Sequence, residues 1–271
     1  MLQFAADLSL LYTELPFLDR FEAAARGGFE AVEFQFPYAH DAEVIAARAR
    51  AAGVSIVLHN LPAGDWEAGE RGIACLPNRV DAFRDGVAQG IACASVLGVT
   101  QLNCLAGIVP DGVDIDEAWR TLRDNLLWAA PRLAANGMRL LLEPVNGSDN
   151  PRFLVQRIAQ AIELLDVIAQ PNVLLLYDTY HMQRMEGELT STIGKLLPRI
   201  GHLHLADHPG RHEPGSGEIN FAFLLAQIDR LGYAGWIGCA YHPLTTTASS
   251  LRWLRGTGHE KAPPANEEIV S

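Results

Sequence analysis

The chain has 271 residues, of which 49% are hydrophobic, and a formal net charge of −11 at pH 7. This length and composition allow a sizeable core, while the acidic excess argues against nucleic acid or an anionic membrane as partner, because no basic surplus is available to neutralise phosphates. The four cysteines form no CxxC pair, the first residues lack a basic leader, and no apolar run reaches membrane-spanning length. These features predict a cytoplasmic protein.

Apolar runs of β type alternate with helix-periodic segments along the chain. Eight such runs predict a single (β/α)8 TIM barrel over residues 1–255. A doubly wound sheet is the alternative, but no GxGxxG follows the first run. The segment 256–271 is rich in Gly, Pro and charge, which predicts a flexible tail. The predicted strands are LQFAADLS (2–9), AVEFQF (31–36), VSIVLHN (54–60), TQLNCLAG (100–107), RLLLEPV (139–145), VLLLYDTYH (173–181), GHLHLAD (201–207) and GWIGCAY (235–241).

Helical periodicity follows most of these runs. Several of the helical segments end in a glycine at the position of a C-cap. The clearest are PFLDRFEAAARGG (16–28), DAEVIAARARAAG (41–53), DEAWRTLRDNLLWAAPRLAANG (116–137) and FAFLLAQIDRLG (221–232).

Polar side chains near the ends of the predicted strands are candidates for an active site, because TIM-barrel sites lie at the C-terminal ends of the strands. Charged groups in apolar strands are costly unless they are paired or bind a metal. Any one of them could instead be a salt-bridged residue at the barrel rim. They are Glu33, His59, Glu143, Asp178, His181, His204 and Asp207.

Three of these residues suggest a metal site. Glu143, Asp178 and His204 come from three consecutive strands. Two carboxylates and one imidazole form a mixed oxygen and nitrogen site that suits Mg²⁺ or Mn²⁺, and also Co²⁺. His181 follows Asp178 by three residues and could contact the substrate, or it could be a satisfied core histidine.

Two long loops add candidate contact residues. The loop after the third strand, LPAGDWEAGERGIACLPNR, carries Trp66 and Arg71, and long βα loops often act as lids. The loop after the seventh strand, DHPGRHEPGSGEINF, carries Arg211, which could hold a substrate carboxylate through two hydrogen bonds. The alternative for these charges is a solvated loop surface.

Five segments of the chain are distinctive: HNLPAGDWEAGERGIACLP, LEPVN, YDTYHMQRMEGELT, IGHLHLADHPGRHEPGSGEINF and GWIGCAYHPLTTT. These segments closely resemble the hydroxypyruvate isomerase family. The resemblance covers about residues 1–255 and implies a xylose-isomerase-like barrel, a fold shared with ketose 3-epimerases and 2-oxo-tetronate isomerases. Its metal ligands would fall on Glu143, Asp178, His204 and position 240, where the family has glutamate and this chain has Ala240.

The resemblance implies interconversion of hydroxypyruvate and tartronate semialdehyde through a metal-stabilised enediolate. Glu143 and the residue at position 240 would move the protons, and an alanine there predicts impaired catalysis, whether the substitution is natural or introduced. The substrate is expected to contact the side chains Glu33, His59, Trp66, His181 and Arg211.

Other functions stay open at this point. A 2-oxo-tetronate isomerase, a ketose 3-epimerase and a non-catalytic protein that binds sugar acids all fit the same residues. A DNA-repair endonuclease shares the barrel type but is disfavoured by the acidic charge and by the small number of histidines at the strand ends. The resemblance also suggests a homo-oligomer.

Overall fold

Eight parallel strands form a closed barrel, as the sequence predicts. The computed structural model describes residues 1–254. Each strand pairs with the next one in the chain, and the last pairs with the first. The strands are β1 (Gln3–Asp7), β2 (Ala31–Phe34), β3 (Ser55–Asn60), β4 (Gln101–Cys104), β5 (Arg139–Leu142), β6 (Val173–Asp178), β7 (Ile200–Leu205) and β8 (Trp236–Cys239).

Helices alternate with these strands, and their ends follow local sequence signals. The side chains of Asp41 and Asp114 each accept the backbone N–H two residues further on, which caps the helix that follows. Within residues 1–254, none of the helices combines the length and apolar character needed to cross a lipid bilayer. The α-helices described are α1 (Arg20–Arg26), α2 (Ala42–Ala52), α3 (Val80–Leu97), α4 (Ile115–Ala134), α5 (Ile158–Ile168), α6 (Thr179–Met185), α7 (Leu189–Leu196), α8 (Phe221–Arg230) and α9 (Thr247–Ser250).

The sixth strand is shorter than its sequence predicts. We expected it to continue to His181, but β6 ends at Asp178 and α6 begins at the next residue. Asp178 Oδ1 accepts the backbone N–H groups of Tyr180 (2.8 Å) and His181 (3.3 Å), so the carboxylate caps the helix and ends the strand. The predicted tail, residues 256–271, lies outside the described residues.

Alternation along the strands decides which side chains face the barrel interior. Leu58, Leu141 and Leu176 pack together as a small apolar cluster inside the barrel. Because strand side chains alternate between faces, the residues two positions further on point the same way. Those residues are polar and lie at the C-terminal mouth of the barrel: Asn60, Glu143 and Asp178.

Gly238 on β8 lies against a buried carboxylate, so we expect Gly238→Ala to destabilise the protein. A Cβ at this position would lie 2.0 Å from Glu33 Oε1, and overpacking of a filled core costs about 1–3 kcal/mol of unfolding free energy. Urea denaturation measures this loss. The control is Gly194→Ala in α7, where the new Cβ would meet only Leu231 side-chain atoms at 3.7 Å or more and should stabilise by up to about 1 kcal/mol. Equal urea midpoints for Gly238→Ala and the parent chain would show that Glu33 can shift to accommodate the added methyl group.

Candidate active site

A cavity of about 380 Å³ opens at the C-terminal mouth of the barrel. Its wall combines polar side chains from the strand ends with residues of two long loops, which is where barrel enzymes place their active sites. The loop residues are Trp66, Arg71 and Arg211. The polar side chains that line the cavity from the strand ends are Asp7, Asn60, Asn103, Glu143 and His204, joined by His181 from α6.

Four of the predicted site residues converge at this mouth. His204 Nδ1 lies 3.9 Å from Glu143 Oε1 and 3.9 Å from Asp178 Oδ2. His181 Nε2 approaches the same two oxygens, at 3.9 and 3.8 Å. Two carboxylate oxygens and two imidazole nitrogens from β5, β6, β7 and α6 therefore surround one small volume.

The carboxylates in this cluster differ in their surroundings. Burial, together with the neighbouring Asp178 charge, raises the pKa of Glu143, while Asn103 Nδ2 donates a hydrogen bond to its Oε2 at 2.8 Å. Burial also acts to raise the pKa of Asp178, but the charges of Arg211, His181 and His204 outweigh it and the pKa is lowered. Asp178 is therefore the more firmly ionised of the two, and Glu143 the more easily protonated.

A series of buried polar side chains contacts His204 from the barrel interior. Its Nε2 lies 2.8 Å from Glu33 Oε1, Glu33 Oε2 lies 2.7 Å from His202 Nε2, and His202 Nδ1 lies 3.2 Å from Gln101 Nε2. Burial acts to raise the pKa of Glu33, but the two histidines lower it to about 2. Burial likewise lowers the pKa of His204, and Glu33, Glu143 and Asp178 together raise it to about 9. We call these four residues, Gln101, His202, Glu33 and His204, the interior chain.

The interior chain holds Glu33 away from the cavity. We expected Glu33 to contact the substrate, but both of its oxygens face histidines and its side chain does not line the cavity. Its contact with the site is indirect, through His204. His202 belongs to the same chain and was not anticipated, although the spacing HLH places both imidazoles on one face of β7.

His59 also lies away from the cavity. Leu58 faces the barrel interior, so alternation turns His59 outward toward the helices. There its ring stacks on Phe34 at a centroid distance of 6.4 Å, and its Nδ1 lies 3.0 Å from the carbonyl oxygen of Asn60. Burial lowers the pKa of His59 to about 4. Of the two neighbouring residues at the end of β3, Asn60 lines the cavity and His59 does not.

Arg211 reaches into the site from the loop after β7. Its Nη2 donates to Asp178 Oδ2 at 2.8 Å, and its Nε donates to the carbonyl oxygen of Ala240 at 3.0 Å. Its Nη1 lies 3.1 Å from His181 Nε2. The backbone of Arg211 adopts a left-handed conformation with φ of 58°, which is unusual for a residue other than glycine.

A single aspartate shapes the loop that carries Arg211. Asp207 is fully buried, and its Oδ1 accepts the backbone N–H groups of His208 and Ile219. Its Oδ2 accepts those of Gly215 and Gly217, both at 2.9 Å. These four hydrogen bonds draw residues 208–219 around one carboxylate.

The loop after β3 lines the other side of the cavity. Trp66 and Arg71 both line the cavity, and Arg71 Cζ lies 4.0 Å from the centre of the Trp66 ring. Trp66 also packs against Phe36 at 5.0 Å between ring centroids. This aromatic and cationic stack is positioned to cover a small polar molecule.

Position 240 lies directly after β8 and carries only a methyl group. Ala240 is 1% exposed, and its backbone N–H donates to the carbonyl oxygen of Leu205 at 3.1 Å. Its carbonyl accepts the Nε of Arg211. The backbone of β8 is therefore in place, but position 240 supplies neither a metal ligand nor a proton carrier.

The cluster fits a divalent metal. His204 Nδ1 is buried and has no hydrogen-bond partner among residues 1–254, although it faces two carboxylate oxygens at 3.9 Å. Glu143, Asp178 and His181 also satisfy the spacing expected of a metal-binding group. Carboxylate and imidazole ligands suit Mg²⁺, Mn²⁺ and Co²⁺.

Comparison with known proteins identifies the family of this chain. A sequence profile of the family described as xylose isomerase-like TIM barrel matches residues 21–257. The chain belongs to this family. One member, a hydroxypyruvate isomerase of Escherichia coli, is 49% identical over 254 residues, which cover 94% of this chain and 98% of the relative. A 2-oxo-tetronate isomerase of Pectobacterium atrosepticum is 41% identical over 253 residues, covering 93% and 97%.

Solved structures place the chain in the same fold. A crystal structure from Brucella melitensis, described as an AP endonuclease of family 2, has a TM-score of 0.91 and 40% sequence identity, covering 94% of this chain and 98% of that one. A structure of L-ribulose 3-epimerase has a TM-score of 0.72 and 24% identity, covering 89% and 82%. The second similarity shows the shared fold alone.

Proposed function

We propose that the chain is an isomerase of small hydroxy-oxo acids that interconverts hydroxypyruvate and tartronate semialdehyde. The observation that carries this proposal is the cluster in which two carboxylates and two imidazoles meet within 4 Å beneath a small cavity. An aldose-ketose conversion needs a group that moves protons between adjacent carbons and a positive environment for the developing oxyanion. The curated relatives that bear isomerase names support the same assignment.

Glu143, Asp178 and His204 are the residues that would hold a divalent cation, with His181 beside them. A bound Mg²⁺ or Mn²⁺ would supply Lewis-acid polarisation of the substrate carbonyl and its neighbouring hydroxyl. In the proposed reaction, Glu143 removes the proton from C3 of hydroxypyruvate, which leaves an enediolate. Burial raises the pKa of Glu143, which makes its carboxylate a stronger proton acceptor than an exposed glutamate.

Arg211 and His181 would orient the substrate, and two residues of the loop after β3 would shield it from water. The guanidinium of Arg211 lines the cavity and already makes charge-assisted contact with Asp178, so it can turn to a substrate carboxylate that enters the same volume. His181 is neutral near pH 7, because burial lowers its pKa to about 4, and it can accept or donate a hydrogen bond to a substrate hydroxyl. Trp66 and Arg71 would exclude water above the reacting carbons.

The alanine at position 240 should slow this reaction. We expect Ala240→Glu to raise kcat with hydroxypyruvate by at least about tenfold, since one positioned acid-base group contributes roughly 10²- to 10⁴-fold. Steady-state assays with Mg²⁺ or Mn²⁺, on the chain and on the variant, measure this gain. Turnover at background level in both proteins would contradict the isomerase assignment and favour a protein that binds sugar acids without converting them.

The choice between hydroxypyruvate and 2-oxo-tetronate rests on the same assay. The two acids differ by one hydroxymethine unit, and relatives with both names match nearly the whole chain. We favour the smaller acid because the relative of that name is 49% identical, compared with 41% for the other. A higher kcat/KM for 2-oxo-tetronate would reverse this choice, and epimerisation of a ketose without turnover of either acid would assign the chain to the epimerases.

The name of the Brucella structure raises the possibility of phosphodiester cleavage. Binding of a DNA backbone relies on basic side chains that displace counterions, whereas this chain has 32 acidic residues against 21 Lys and Arg. The cavity is also small, about 380 Å³, and Trp66 and Arg71 form part of its wall. We therefore favour a small acid as substrate.

A further inference from the structure

We propose that Asp7, at the end of β1, is the second proton-carrying residue of this site and delivers a proton to C2 of the substrate. This inference rests on the isomerase function proposed above. The proposed reaction removes a proton from one carbon and adds a proton to the next. Glu143 can carry out one of these transfers, and Ala240 can carry out neither.

The register of the barrel places Asp7 beside the alanine. β1 and β8 pair as Ala5 with Gly238 and Ala6 with Cys239, and the next step of this register brings Asp7 alongside Ala240. Paired residues on neighbouring strands point to the same face, about 5 Å apart. A carboxyl group therefore faces the barrel interior one strand away from position 240.

The position of Asp7 relative to Glu143 is also suitable. The strands follow one another around the barrel from β1 to β8, so β1 lies opposite β5. Asp7 and Glu143 line the same cavity and approach it from opposite walls. A three-carbon acid held between them would present one face to each carboxyl group.

The local contacts leave Asp7 able to react. Its Oδ1 accepts the N–H of Ser9 at 2.8 Å, and its side chain lines the cavity. The side chain is 2% exposed. Burial and the Glu33 charge raise the pKa of Asp7 to about 7, against the lowering influence of His204, the Ser9 N–H and Arg211, so the neutral acid is well populated near neutral pH.

The proposed step balances without a further reactant. Glu143 takes the proton from C3, the electron pair of that bond forms the C2–C3 double bond, and the carbonyl pair moves to O2. The hydroxyl proton on O3 then passes to O2, and the O3 electrons form the new carbonyl at C3. The double-bond pair takes the proton of the Asp7 carboxylic acid at C2. Exchange with water afterwards restores both carboxyl groups.

The test compares four proteins: the chain itself, Asp7→Asn, Ala240→Glu and the double variant. We expect Asp7→Asn to lower product formation from hydroxypyruvate by ~10²-fold or more, because the amide has no proton to deliver. Exchange of the C3 hydrogens with D₂O, followed by NMR and corrected for the enzyme-free rate, should change little in this variant, because Glu143 still removes the C3 proton. In the Ala240→Glu background the same substitution should have a much smaller effect, since the new glutamate supplies the proton.

The controls and contrary outcomes are specific. Asp85→Asn, an exposed change on α3, should leave both readouts unaltered, and activity of the double variant would show that Asp7→Asn folds. The inference is overturned if Asp7→Asn turns over like the chain, if it loses C3 exchange together with product, or if only proteins with Ala240→Glu turn over. The last outcome leaves the isomerase function intact. Absence of exchange and turnover from all four proteins would refute the function itself, and the role of Asp7 with it.

Discussion

Glu143→Gln should lower kcat for hydroxypyruvate by roughly 10²- to 10⁴-fold, the contribution typical of one general acid-base group. The amide keeps the shape of the side chain and can still accept the hydrogen bond from Asn103, but it cannot take a proton from carbon. Because this step precedes the others, exchange of the C3 hydrogens with solvent should fall together with turnover. The measurement is best made in the Ala240→Glu background, where we expect the parent rate to be highest.

The matched control is Glu163→Gln on α5, the same substitution at an exposed position on the outside of the barrel. It should leave kcat and KM unaltered. If Glu143→Gln retained C3 exchange at the parent rate, another group would be removing the proton and the roles assigned to Glu143 and Asp7 would have to be exchanged. Divalent-metal binding measured by calorimetry on the same variant would separate a lost base from a lost ligand.

Glu33→Ala should lower the free energy of unfolding by about 3–5 kcal/mol, because it removes the shared partner of two buried imidazoles and breaks a buried ion-pair network. Glu33 is 2% exposed and lies within 2.8 Å of both His202 and His204. The variant leaves these imidazoles in the barrel interior without the carboxylate that they share. Urea denaturation followed by circular dichroism measures the loss.

Two further variants serve as references for the stability loss expected of Glu33→Ala. Glu22→Ala removes one partner of the exposed pair with Arg26 on α1 and should cost no more than about 0.5 kcal/mol. Glu33→Gln keeps one acceptor oxygen and should lie between the two. A loss below about 1 kcal/mol for Glu33→Ala would mean that water enters the interior and that the chain of polar groups adds little to stability.

The sequence predicts the barrel well because strand periodicity and helix caps are local signals. The ends of the strands are harder, as β6 shows. The pattern of VLLLYDTYH predicts one continuous strand. In the structure, the Asp178 side chain accepts two backbone N–H groups of the following turn, and the last three residues are helical. Whether the strand continues or a helix begins after Asp178 depends on the space that the neighbouring strands leave for the chain to turn. The sequence of β6 alone does not contain that information.

The candidate site is predicted in part for a related reason. Glu143, Asp178, His181, His204 and Arg211 all converge, because strand-end position alone brings them to the mouth of the barrel. His59 lies outside the cavity because one residue of register decides whether a side chain faces the barrel interior or the helix layer. The apolar run VSIVLHN has no alternation of polar and apolar residues from which that register could be predicted.

Residues that act across the barrel leave the weakest sequence signal. Glu33 reaches His202 and His204 over 169 and 171 positions of chain, and no local pattern reports such a contact. Asp7 gives no signal either, since its significance depends on which residue the closure of the barrel places beside it. Both become visible only when the first and last strands are paired.

Asp207 has a consequence for substrate binding. Its four hydrogen bonds fix the loop that carries Arg211 before any ligand arrives, so the conformational entropy of that loop is lost during folding and not during association. An arginine on a freely moving loop would have to be ordered in every encounter with a substrate, at a cost in affinity. Recognition of a molecule as small as a three-carbon acid, which offers few contacts of its own, depends strongly on such preorganisation.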